Sequence, residues 1–247
     1  MAEQRHLRNA PITEMLFDLR LAAPVELTDE HFRALGEASA AQYPKTELKQ
    51  RIEGTIKFNA GRLSADTRPL GAKGLFATSS DGLTVAQFRA DGFTLNRLRP
   101  YTSWGELFPE ALRLWNLYSA VSGGTEVGRV ALRYINHLDL PLQDGDDFSL
   151  YLAMPPNLPE PVPQSVSAFV MRFTAHDTST AISANITQAM AAPLPSARVV
   201  LDIDVFKVLV APVRDEVEIR GIFAALHEMK NRIFFNLVME RCLQLYQ

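Results

Sequence analysis

The chain has 247 residues, 47% of them hydrophobic and 21% charged, with a formal net charge of -3 and a pI of about 6.0. This composition excludes general disorder and gives no overall basic footprint for phosphate neutralisation. Cys242 is the only cysteine, which rules out an intramolecular disulfide. The first six residues lack the apolar run of a signal peptide, and the apolar stretch 199–213 is broken by Asp202, Asp204 and Lys207 well short of the roughly 20 residues a membrane span needs. The expectation is a soluble, cytoplasmic protein with no membrane association, long enough for one large domain or two small ones.

From Ile12 to Leu21, Met15, Phe17, Leu19 and Leu21 recur at the period of a half-buried strand. Thr28 or Asp29 then caps a helix whose Phe32, Leu35 and Ala38 recur at helical spacing until Pro44. Strands are expected around Leu48 to Phe58, Gly74 to Thr78, Leu83 to Arg89 and Phe93 to Leu98, with Asp81-Gly82 and Asp91-Gly92 as hairpin turns of an antiparallel meander. Gly61 to Gly71, holding Pro69 and two glycines, reads as a loop. Ser103 and Glu106 form a capping box ahead of an apolar stripe through Leu107, Leu112, Trp115 and Tyr118 that ends at Gly123-Gly124.

The second half repeats this rhythm. A strand spans Arg129 to Leu140, a short helical segment lies near Asp147 to Ala153, strands follow at Val166 to Ala175, Thr180 to Met190 and Ala197 to Leu209, and a long helix starts near Asp215. Five prolines between Pro155 and Pro163 stiffen the connection where the chain is expected to cross over. The fold class read from this order is α+β, as two related β-α-β(n)-α halves with antiparallel sheets and packed helices, 1–124 and 125–247, with a pseudo-twofold internal duplication fused into one unit as the expectation.

Asn9-Ala10-Pro11-Ile12 with Glu14, Gln87-Phe88-Arg89-Ala90-Asp91-Gly92-Phe93, Leu98-Arg99-Pro100-Tyr101 with Trp104, Arg133-Tyr134-Ile135-Asn136 with Pro141, Pro155-Pro156-Asn157-Leu158-Pro159 and Asp202-Ile203-Asp204 together resemble the signatures of a sporadically distributed bacterial family of uncharacterised proteins of this length. The resemblance covers nearly the whole chain and implies no activity or catalytic residue. The patchy occurrence of that family implies mobile genes of the defence or toxin-antitoxin kind.

The sequence has no Walker-type loop, no G-x-G-x-x-G after a strand and no G-x-S-x-G elbow. His6, His31, His137, His176 and His227 do not fall at ligand spacings, so no metal site and no cofactor are expected. The candidate binding residues lie on strands. Arg129, Arg133, His137 and Asp139 share one face of their strand, Arg172 and His176 oppose Met171 and Phe173 on theirs, and Asp202 and Asp204 oppose Leu201, Ile203 and Val205. Brought onto one sheet face, Arg133, His137, Asp139, Arg172, Asp202 and Asp204 make either a charged groove for a partner or anionic ligand, or, as the commoner outcome, cross-strand ion pairs on a solvated face.

The leading expectation is a non-enzymatic protein that binds another protein, in line with a partner or antitoxin-like component. The alternatives are a small-ligand module between sheet and helix anchored by Arg133 and Arg172, and nucleic-acid binding on the arginine-bearing face; a homo-oligomer is compatible with each. An enzyme ranks last.

Overall fold

The computed structural model describes residues 7–59, 62–124, 126–142, 147–192 and 197–247. Among them run β1 (Ile12–Leu21), α1 (Asp29–Ser39), β2 (Lys45–Asn59), β3 (Arg62–Thr78), β4 (Thr84–Arg89), β5 (Gly92–Leu98), α2 (Trp104–Val121), β6 (Val127–Leu140), β7 (Val170–Asp177), β8 (Ile182–Ala192), β9 (Ala197–Val213), α3 (Glu216–Leu237) and α4 (Glu240–Leu243), with short 3-10 turns at Phe148–Leu150 and Gln244–Tyr246. The chain is a mixed α/β protein with antiparallel strands, and no described helix is long and apolar enough to cross a membrane. Two compact units form, one from Asp18–Arg97 with Thr102–Gly128, the other from Met1–Phe17, Leu98–Tyr101 and Arg129–Gln247.

In the first of these units the strand order is β2-β3-β4-β5. The meander expected from the Asp-Gly pairs is present, with Gly82 at φ 74° and Gly92 at φ 150° in the turns. Gly92 is obligatory, because a Cβ there would lie 2.1 Å from the Leu19 carbonyl oxygen. α1 starts at Thr28, whose side chain accepts from the His31 N–H, and α2 at Ser103, which accepts from Glu106 N–H. The α2 stripe buries Trp115 and Tyr118 against Phe88 and Phe93, with ring centroids 5.5 to 6.5 Å apart, and the Tyr118 hydroxyl donates to the Arg89 carbonyl at 2.6 Å. Gly123 and Gly124 end α2 at φ 81° and 84°.

The loop expected at Gly61 to Gly71 is a strand from Arg62 onward, since β3 pairs with β2 out to Asn59 opposite Arg62; Ala60 and Gly61 lie outside the described residues. Pro69 is accommodated because it pairs opposite Ile52 beside a register shift between Gln50 and Ile52, the kind of irregularity at which a strand tolerates a residue with no N–H.

The second unit carries the order β1-β6-β9-β8-β7. The proline-crowded stretch lies in the connection that takes the chain from β6 past β9 and β8 in strand order to the terminal strand β7. Along β9, Val199, Leu201, Ile203 and Val205 are fully buried while Arg198, Val200, Asp202 and Asp204 alternate on the other face. α3 is capped by Asp215, whose carboxylate accepts from Val217 N–H at 2.6 Å, and it buries Ile219, Ile222, Phe223, Leu226, Lys230 and Phe234. Phe223 meets Phe17 edge-on at 5.6 Å.

Candidate functional site

Register places the polar residues of β7, β8 and β9 in rows. Asp202 stands opposite Thr187, which stands opposite Arg172; Asp204 opposite Asn185, opposite Thr174; and Phe206 opposite Ser183, opposite His176. Directly opposite residues of antiparallel strands project to the same side, so these side chains share one face. β6 adds Arg129, Arg133 and Asp139 to it through ion pairs with β9.

Most of the charge on this face is internally matched. The Arg133 guanidinium donates from Nε to Asp202 Oδ1 at 2.8 Å and from Nη2 to Asp202 Oδ2 at 2.6 Å, and these bonds raise its pKa further above the ordinary value. Arg129 lies 3.7 Å from Asp204 and sits over the Phe206 ring at 4.6 Å, while Arg198 donates to Asp139 at 2.6 Å. Asn185 donates to Asp204 at 3.1 Å and accepts from the Thr174 hydroxyl at 2.9 Å, which extends the polar row to β7.

The six residues singled out from the sequence therefore fall into three groups. Arg133 and Asp202 are joined, with Asp204 beside them in the next row. His137 and Asp139 lie further along β6, near the C-terminus, where Tyr246 Oη accepts from the Asp139 N–H at 2.9 Å. Burial, together with the Arg198 and Arg99 charges, lowers the His137 pKa against the opposing pull of Asp139. Arg172 stands apart on β7, separated from β9 by β8.

Arg172 differs from its neighbours. It is exposed, and among the described residues no carboxylate pairs with it. Its strand is terminal and open on both faces, with Val170 74% and Phe173 45% exposed. His176 Nδ1 is 2.9 Å from Ser183 Oγ, and Asp177, at the end of β7, accepts from Ser179 and from Arg232 of α3, contacts that lower its pKa to about 2. Among the described residues β7 thus offers an unmatched cation, two apolar side chains and a free strand edge.

The opposite face holds buried polar groups that sequence reasoning missed. Lys230 of α3, only 8% exposed, places its ammonium 4.0 Å from the centre of the Tyr134 ring, and no ion pair to it occurs among the described residues. Burial alone lowers its pKa to about 7, and burial together with the Lys230 charge lowers that of His227, one turn earlier, to about 4. Asn136 donates to the Leu201 carbonyl at 2.9 Å, and Gln188, opposite Leu201 and 1% exposed, has neither amide atom hydrogen-bonded among the described residues. A signal for Lys230 existed: Leu226, Lys230 and Phe234 are spaced four apart on the buried stripe. Because Tyr134 faces α3, the adjacent Arg133 faces away from it, so the arginines do not line the space between sheet and helix.

Cys242 is buried and its thiol is pushed up to about 12, which removes nucleophilic character. Among the described residues no group of three or more His, Cys, Asp or Glu is arranged to hold a metal ion. No family model matches the chain, and no curated protein matches it in sequence.

Proposed function

We propose that the protein is a non-enzymatic interaction module that binds another protein at the β7 end of its sheet. The observation that carries this reading is that β7 is a terminal strand exposed on both faces, with Val170 and Phe173 in solvent and Arg172 unmatched among the described residues, whereas Arg129, Arg133 and Arg198 each have a carboxylate. Matched charges do not form the continuous positive stripe that nucleic acid would favour. The resemblance to a patchily distributed bacterial family makes a partner encoded nearby, in a defence or toxin-antitoxin module of the cytoplasm, the first candidate. An internal duplication, with β1 to α2 and β6 to α3 as its halves, is part of the same proposal and is supported by the repeated order of strand, helical segment, antiparallel strands and long helix.

The test is affinity capture from the native host with three forms of the chain. Wild type and Arg133→Ala are expected to retain the same stoichiometric protein, and Thr174→Pro to lose it, since a proline whose missing N–H faced the open edge leaves the β8 ladder whole but blocks that edge. Retention by Thr174→Pro contradicts the reading.

One observation favours a second reading. Among the described residues neither the buried Gln188 amide nor the Lys230 ammonium has a hydrogen-bonding or ionic partner, which suits a small polar ligand held between the sheet and α3, with Lys230 rather than Arg133 or Arg172 as its anchor. Native mass spectrometry that finds a stoichiometric small molecule, lost in Gln188→Leu, would select it.

A further inference from the structure

We propose that the partner joins β7 as an added antiparallel strand that places a carboxylate opposite Arg172. This rests on the protein-binding reading and specifies the chemistry of the segment that docks.

The backbone sets the geometry. Met190 N–H donates to the Phe169 carbonyl at 3.0 Å, and this pair continues the register of β7 with β8, in which Val170 stands opposite Ala189. Alternate residues of a strand turn their N–H and C=O groups to the same side, so the odd-numbered residues of β7 bond β8 and Arg172, Thr174 and His176 turn theirs to the open edge. The side chains of these residues lie on the face that carries Asp202 and Asp204. A residue that exchanges backbone hydrogen bonds with Arg172 therefore stands directly opposite it, about 5.5 Å away at Cα, with its side chain beside the guanidinium. The intramolecular pairs show which side chain meets an arginine on this face, since Asp202 meets Arg133 and Asp139 meets Arg198.

A second copy paired through its own β7 does not meet this requirement. Because only even-numbered residues of β7 offer groups to the edge, two copies would set Arg172 opposite Val170, Arg172, Thr174 or His176, none of them a carboxylate. Asp177, the single carboxylate of β7, is odd-numbered and already held by Ser179 and Arg232. The edge charge thus opposes β7–β7 self-pairing and favours an acidic strand of a different protein. Phe173 and Val170 supply apolar contact beside it.

The probes are eight-residue peptides of alternating valine with glutamate, glutamine or lysine, each titrated into the full chain by fluorescence anisotropy, with amide exchange followed by NMR. The valine-glutamate peptide is expected to bind about tenfold more tightly than the glutamine peptide and to slow exchange at Arg172, Thr174 and His176, and Arg172→Glu is expected to transfer the preference to the lysine peptide. Equal affinity for the glutamate and lysine peptides overturns the acidic specificity, and protection confined to residues outside β7 overturns strand addition. The reading on which the proposal rests fails separately, by capture of the same partner by wild type and Thr174→Pro.

Discussion

Arg133 and Asp202, 69 residues apart in sequence, meet side by side through two hydrogen bonds across β6 and β9. With the Arg133 side chain 44% exposed and that of Asp202 19%, the pair is partly solvated, so its geometry adds order more than energy. Arg133→Ala is expected to lower stability by about 0.5–1 kcal/mol in urea denaturation, and a double-mutant cycle with Asp202→Ala to return a coupling of similar size. A coupling above about 3 kcal/mol would mark a pair far less solvated than this one.

Lys230 makes stability depend on pH in a defined direction. Its folded pKa of about 7 lies below the ordinary 10.5, so between these values the unfolded chain binds more protons and stability rises with pH. Below about pH 7 the helix carries a buried ammonium at a cost of a few kcal/mol. Lys230→Met is therefore expected to stabilise the protein by a few kcal/mol at pH 6 and to flatten the rise between pH 7 and 10. Thermal or urea unfolding across that range checks both. His227, lowered to about 4, adds a smaller rise between about pH 4 and 6.5 that the substitution reduces without abolishing, since burial is the larger cause and the Lys230 charge the lesser.

Gly92→Ala tests the tight turn between β4 and β5. A methyl group would drive into the Leu19 carbonyl and hold a positive φ that alanine disfavours, so a loss of at least about 2 kcal/mol is expected, with the transition midpoint in urea as the readout. Gly82→Ala, with nothing within 4 Å, is expected to cost less, about 1 kcal/mol from its φ of 74°.

These sites differ in how far the sequence announces them. Alternation along β9 separates Asp202 and Asp204 from Leu201, Ile203 and Val205 without any structure, and the Asp-Gly turns and the Thr28 and Ser103 caps are equally local. Lys230 was legible too, since it interrupts an apolar stripe at a helical interval. What could not be read is adjacency. That Arg133 lies beside Asp202 while Arg172 has β8 between itself and β9 depends on a strand order decided by tertiary packing, as does the terminal position of β7 that leaves Arg172 unmatched. β3 escaped notice from Arg62 to Gly71 because proline and glycine signal breaks locally, whereas pairing with β2 overrides them. The Gln188 amide gave no signal either, because its burial follows from standing opposite Leu201.

The binding claim meets its most direct test in residue-resolved amide exchange of the full chain with and without the captured partner. In the free protein Arg172, Thr174 and His176 are expected to exchange quickly while Met171, Phe173 and Ala175, bonded to β8, are protected. The account predicts that the partner slows the first three by at least about tenfold and leaves the second three nearly unchanged, as an added strand would. Unchanged exchange at Arg172, Thr174 and His176 with the partner bound would contradict it.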